Sequence, residues 1–200
     1  MNETEYIILR KTPFRESSLI VSGISPHFGK IDFIMRTRSS GKTGKFPVAG
    51  LFRELHVEFN PAKEDGAGLI PARSVELIRN HDAVAENVKG YFSACDLASM
   101  LLCNTNPMVE IPGTFQTFKT FLNAMEQGKS PEPYESLVYL VLLEESGELP
   151  PQEGRAGAFL TQLLNRVRNG LDLPPDVPES YWSQLADWRK VICRKMPGSR

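Results

Sequence analysis

Lys30, Arg36, Arg38, Lys42 and Lys45 stand within sixteen residues of chain that hold one acid, Asp32. Lysine and arginine at that density neutralise phosphate, so the chemistry on offer is electrostatic binding of a nucleotide or of a nucleic-acid backbone. The stretch Arg36–Lys45 reads RTRSSGKTGK, polar, glycine-containing and almost free of apolar residues. Ser39-Ser40-Gly41-Lys42-Thr43 has the look of a phosphate-cradling loop. That loop needs glycine five positions before Gly41 and a helix whose N-terminus faces the phosphate. Arg36 holds the first position, and Gly44 and Pro47 interrupt any helix within its first turn. The nucleotide reading therefore gives way to the nucleic-acid one. Phe28 and Phe46, in or beside turns, are placed either to stack bases or to pack on the ends of a barrel.

Catalytic chemistry finds less support. His27, His56 and His81 are far apart and none stands in a metal-ligand spacing, so no metal is expected. Cys95, Cys103 and Cys193 form no C-x-x-C pair, which argues against a zinc site and a disulfide framework; Cys95 and Cys103 are expected to be buried thiols on a helix. Glu144, Glu145 and Glu148 read as the solvated rim of a helix end, with no catalytic role. Neither a nucleophile elbow nor a Cys/His signature is present. The expectation is a binding protein and not an enzyme, with no cofactor.

Net charge is −1, but it is unevenly spread. Residues 1–80 hold 12 Lys+Arg against 9 Asp+Glu, and residues 81–200 hold 11 against 15. One basic half with one basic loop is an argument about partners. No apolar run reaches the roughly 18 residues that span a bilayer, and no charged segment with an apolar core opens the chain. A soluble, intracellular protein without membrane contact is expected.

The elements that must carry the basic loop read as short strands. Apolar residues mark Glu5–Lys11, Ser18–Ile24, Lys30–Met35, Leu51–Phe59 and Gly68–Ile78, with turns at Pro26–Gly29 and Pro61–Gly66. Leu55, Val57 and Phe59 alternate with Glu54, His56 and Glu58. Five strands without an intervening crossover helix predict a five-stranded barrel of OB type over residues 1–80. After Asn80 the period becomes helical. Asp82 is positioned to cap a helix carrying Val84, Val88, Tyr91, Cys95, Ala98 and Leu102, and Pro112 opens one whose stripe is Phe115, Phe118, Phe121, Leu122 and Met125. Pro131–Glu148, with seven consecutive apolar residues Leu137–Leu143, predicts a helix buried on nearly all sides. Arg155–Asn169 and Glu179–Lys195 complete an all-α domain over residues 81–200, so the predicted class is multidomain α+β.

Residues 5–38, EYIILRKTPFRESSLIVSGISPHFGKIDFIMRTR, are similar to the opening of RecO, the bacterial recombination-mediator and DNA-repair family. The likeness rests on a first strand, then Phe14-Arg15-Glu16, an apolar strand, and a turn ending in Gly29-Lys30 before a basic segment. Ala72–Glu76 resembles the family's final barrel strand, and Leu142–Pro150 (LLEESGELP) its helix-ending stretch. The chain departs from the family pattern twice: Pro151-Gln152-Glu153-Gly154 leads into a helix without the four-cysteine zinc module, and Arg36-Thr37-Arg38 replaces a Lys-Gly-Ala-Arg core. The resemblance implies a cytoplasmic, nucleoid-associated repair factor. It would bind single- and double-stranded DNA, anneal strands, and assist recombinase loading on strands coated by single-stranded DNA-binding protein. RecR and that coating protein's C-terminal tail are the implied partners. Lys30, Arg36, Arg38, Lys42 and Lys45 are the expected DNA contacts; Arg166, Arg168, Arg189 and Lys190 are candidates, on charge alone, for the acidic tail. The competing reading is an interaction scaffold that keeps the barrel and has lost DNA binding.

Overall fold

Buried runs and alternation together shape the described part of the first eighty positions in the computed structural model, which describes residues 1–36, 49–60 and 68–196. Five strands form: β1 (Asn2–Phe14), β2 (Ser18–Ser25), β3 (Gly29–Arg36), β4 (Glu54–Phe59) and β5 (Ile70–Arg79). They close into a barrel in the order β1-β2-β3-β5-β4, antiparallel throughout except where β3 meets β5. Tyr6, Ile8, Val21, Phe33, Met35, Leu55, Val57 and Phe59 fill the interior. Tyr6–Phe33 and Phe33–Phe59 meet edge to face, with ring centroids 5.0 and 5.2 Å apart. The expected strand segments all appear. The turn cluster Pro61–Gly66 lies outside the described residues.

Tyr6 explains the small residue in β2. Its hydroxyl is 2.9 Å from the carbonyl oxygens of both Val21 and Ile31, joining three strands from inside the barrel. A Cβ on Gly23 would lie 2.7 Å from the Tyr6 ring and 2.0 Å from the carbonyl oxygen of Ile7. Burial first, then the charge of Asp32, hold the Tyr6 phenol well above its usual range, so it stays a hydroxyl.

The chain divides into two compact units, Met1–Asp82 with Leu101–Glu110, and Ala83–Met100 with Ile111–Arg200. The barrel unit thus recruits ten residues that the periodicity assigns to the helical half. Gly29 and Lys30 are the reason. The backbone N–H of Lys30 donates to Asn106 (3.3 Å), and that of Met108 to Phe28 (2.8 Å). Gly29 has φ +60°, and a Cβ there would stand 2.3 Å from the Asn106 oxygen and 2.5 Å from that of Val109. Only glycine admits this approach.

The second unit is helical: α1 (Val88–Asn104, its last turn in the barrel unit), α2 (Pro112–Glu126), α3 (Pro131–Glu145), α4 (Gly154–Arg168) and α5 (Glu179–Ile192). α3 packs against α2, α4 and α5, and every residue from Leu137 to Leu143 is buried. The stripe on α2 is core as expected. The stripe on α1 holds at its far end only: Val84 is buried but sits in a separate 3-10 turn, Asp82–Glu86, and Val88 is 65% exposed. Ala98 and Leu102 are buried as expected, with Ala94, Leu97, Met100 and Leu101 beside them; the α-helix begins after Asn87, whose side chain caps Gly90 N–H (3.0 Å). Cys103 is exposed and Cys95 half-buried, contrary to expectation; Cys193 is buried, which pushes its thiol up to about 11. Among the described residues no helix is long and apolar enough to cross a membrane.

Candidate nucleic-acid interface

Five cations adjacent in sequence are not adjacent in the fold. Lys30 and Arg36 stand at opposite ends of β3, six steps of the strand and about 20 Å apart. Arg38, Lys42 and Lys45 lie outside the described residues, as do Thr37, the loop Ser39–Thr43, Phe46 and Pro47.

Lys30 has a defined partner. Its Nζ donates to the carbonyl oxygen of Leu102 at 3.0 Å, in the last turn of α1. The final carbonyls of a helix lack partners within it, and a cation there is favoured by the helix dipole. Lys30 therefore secures Leu101–Glu110 to the barrel, a task that only the fold reveals.

Arg36 is exposed at the open end of β3. Across the sheet it lies opposite Ser18, which lies opposite Phe14 of β1. Two strand spacings put the Phe14 and Arg36 backbones about 10 Å apart. Beside Phe14 the hairpin turns through Arg15, in left-handed backbone (φ 57°), and the Arg15 guanidinium sits 5.1 Å above the Phe14 ring. Arg10 and Lys11 are exposed on the same strand, in rows with Ser22 and Val21. Arg10, Lys11 and Arg36 make no side-chain hydrogen bond or ion pair among the described residues. By register Arg10, Phe14, Ile20, Ile34 and Arg36 share the outward face of β1–β2–β3, with Arg15 at the hairpin turn beside Phe14, while Lys11, opposite the core residue Val21, stands on the other face of β1. The segment LRKTPFRE carries three of these cations beside one acid, and that density was the available signal.

Asp32 lies in the row Arg10–Ser22–Asp32, and its Oδ1 is buried without a hydrogen-bond partner among the described residues. Phe28 packs into the barrel instead of facing out, its ring edge to face with Phe59 at 5.4 Å.

In the helical unit the cations are engaged. Arg168 pairs with Glu144, and Arg189 with Glu135, while its guanidinium lies 4.8 Å over the Tyr139 ring. Burial outweighs that cation and pushes the Tyr139 phenol up to about 12. Arg166 donates twice to the backbone oxygen of Asp172 (3.0 and 2.9 Å), and Lys190 pairs with Asp187 at 3.1 Å. Two acids of Leu142–Pro150, Glu144 and Glu145, are structural as well. α2 starts at Ile111, which has no side chain able to cap it. Glu145 supplies the cap from α3, accepting from Gly113 N–H (2.7 Å), Thr114 N–H (2.8 Å) and the Thr114 hydroxyl (2.6 Å).

No protein-family model matches the chain, and no curated protein matches it.

Proposed function

We propose that this protein is a non-enzymatic DNA-binding factor of the recombination-mediator kind, and that its barrel is of OB type. The barrel supports this reading through its five strands and 1-2-3-5-4 order. The observation that carries the DNA reading is the grouping of Arg10, Arg15 and Arg36 on the outward β1–β2–β3 face and its hairpin turn, where the chain continues into Arg38, Lys42 and Lys45. In OB barrels the face of the second and third strands takes oligonucleotides, by phosphate pairing and stacking. The Arg15–Phe14 pair offers a planar surface to a base, and the neighbouring cations meet phosphate. Lys30, bonded to Leu102, belongs to the same proposal only as a support.

Strand annealing, recombinase loading and partnership with RecR and the coating protein's tail follow from the family resemblance. For an acidic tail, Lys190 is the best-presented cation of the helical unit, its side chain 61% exposed against 10% for Arg189.

The test is a fluorescence titration of labelled single strands at several salt concentrations. Arg10→Ala, Arg15→Ala and Arg36→Ala together should lower the slope of log affinity against log salt by about 2, at roughly 0.7 per phosphate contact on single strands. Affinity without salt dependence, or a slope unchanged by the triple variant, removes this face from the site. The net charge of −1 favours the scaffold reading if no binding is seen.

A further inference from the structure

The opposite pole of the barrel surface is acidic, and one imidazole sits in its midst. Antiparallel pairing of β1 and β4 sets Glu3 across from Glu58 and Glu5 across from His56. Pairing of β4 with β5 sets Glu76 on the other side of His56 and Ser74 beside Glu58. Leu55, Val57 and Phe59 point into the core, so His56 and Glu58 face outward with Glu3. Neither cross-strand row contains lysine or arginine. Carboxylates directly opposite one another repel, so the Glu3–Glu58 row is unfavourable as it stands.

The ligand atoms of Glu3, His56 and Glu58 all lie within 4.8 Å of one another. Glu3 Oε2 is 3.5 Å from His56 Nε2. Ligands bound at about 2.1 Å in a tetrahedron stand about 3.4 Å apart, so this edge already has the required length. His56 and Glu58 are half-buried on a strand, and Glu3, 73% exposed at its side chain, is free to swing the remaining distance. One imidazole nitrogen with two carboxylate oxygens is a donor set for a borderline divalent cation, more than for the hard cations that prefer oxygen alone.

We infer that Glu3, His56 and Glu58 form a binding site for one divalent cation of the zinc class, with the outward coordination positions left to water. The ion neutralises the opposed carboxylates and ties the start of β1 to β4. This inference is independent of the DNA reading. The site escaped the sequence because its ligands come from strands 53 positions apart in the chain (3 and 56) and meet only through the register.

Isothermal titration of the chelator-treated full chain with zinc chloride tests it. One ion should bind per chain, with affinity falling at least tenfold in each of Glu3→Gln, His56→Ala and Glu58→Gln and unchanged in His27→Ala. Glu3→Gln alters an exposed side chain and keeps the test valid if His56→Ala fails to fold. A rise in melting temperature with zinc, absent with equal magnesium, accompanies the expected result. Absence of saturable binding, equal stabilisation by magnesium, or unchanged affinity in Glu3→Gln and Glu58→Gln overturns the proposal.

Discussion

Tyr6 and Gly23 act as one unit, the ring occupying the space that a Cβ on residue 23 would need. Gly23→Ala forces backbone and ring apart, and the expected loss is about 3 kcal/mol, read as a lowered urea midpoint at unchanged m-value. Glu145 is the comparable residue among the helices. Glu145→Ala leaves two N–H groups at the start of α2 without their acceptor and should cost about 1–2 kcal/mol in thermal unfolding. Neither role was visible along the chain. Gly23 reads as a small residue in an alternating strand, and Glu145 as an acid at a helix rim, because both partners are brought in by tertiary structure. The cations were signposted by density alone: Arg36, read as the start of the basic loop, is the last residue of β3 and exposed, while Lys30 proved to be tied to Leu102.

Elements were read more securely than residues, since alternation and helical spacing report which face is buried whatever the partner is. The strand positions and the α2 and α3 cores follow from that pattern. The α1 stripe did so only at Ala98 and Leu102, because Asn87 starts the helix more than a turn later than Asp82 would. At the joint between the barrel and Leu101–Glu110, Lys30→Ala should lower stability by about 1 kcal/mol and leave the salt slope of DNA binding unchanged. A second tie, between the start of α3 and the loop after α4, is sensitive to pH. Asp172 accepts from Lys129, Tyr134 and the Leu173 N–H (2.9 Å). Burial alone would raise its carboxyl, but these hydrogen bonds outweigh it and hold the group below its ordinary 3.8. A depressed folded-state value stabilises above 3.8 and loses that contribution as pH falls through the lower value. Asp172→Asn should therefore reduce stability at neutral pH and flatten the acid limb of a stability–pH profile below about 4.

Across the whole molecule, charge is sorted on the barrel itself: cations gather at the far end of β1–β2–β3, and carboxylates crowd the β1–β4–β5 rows around His56. A polyanion meeting this barrel is drawn to one pole and repelled from the other, so DNA affinity should fall steeply with salt despite the net charge of −1. The basic pole was half legible, through the loop after Arg36; its β1 half was hidden in a segment that reads first as a strand and a turn. The acidic pole was illegible because register, not sequence order, assembles it. The barrel's dependence on Leu101–Glu110 also bears on how the protein is made. All five strands have left the ribosome once Arg79 is clear, yet the backbone that seats against Gly29 and Lys30 follows some thirty residues later. At 5–20 residues per second the nascent barrel waits about 2–6 s with that seat empty, so synthesis itself sets the moment at which the seat is filled.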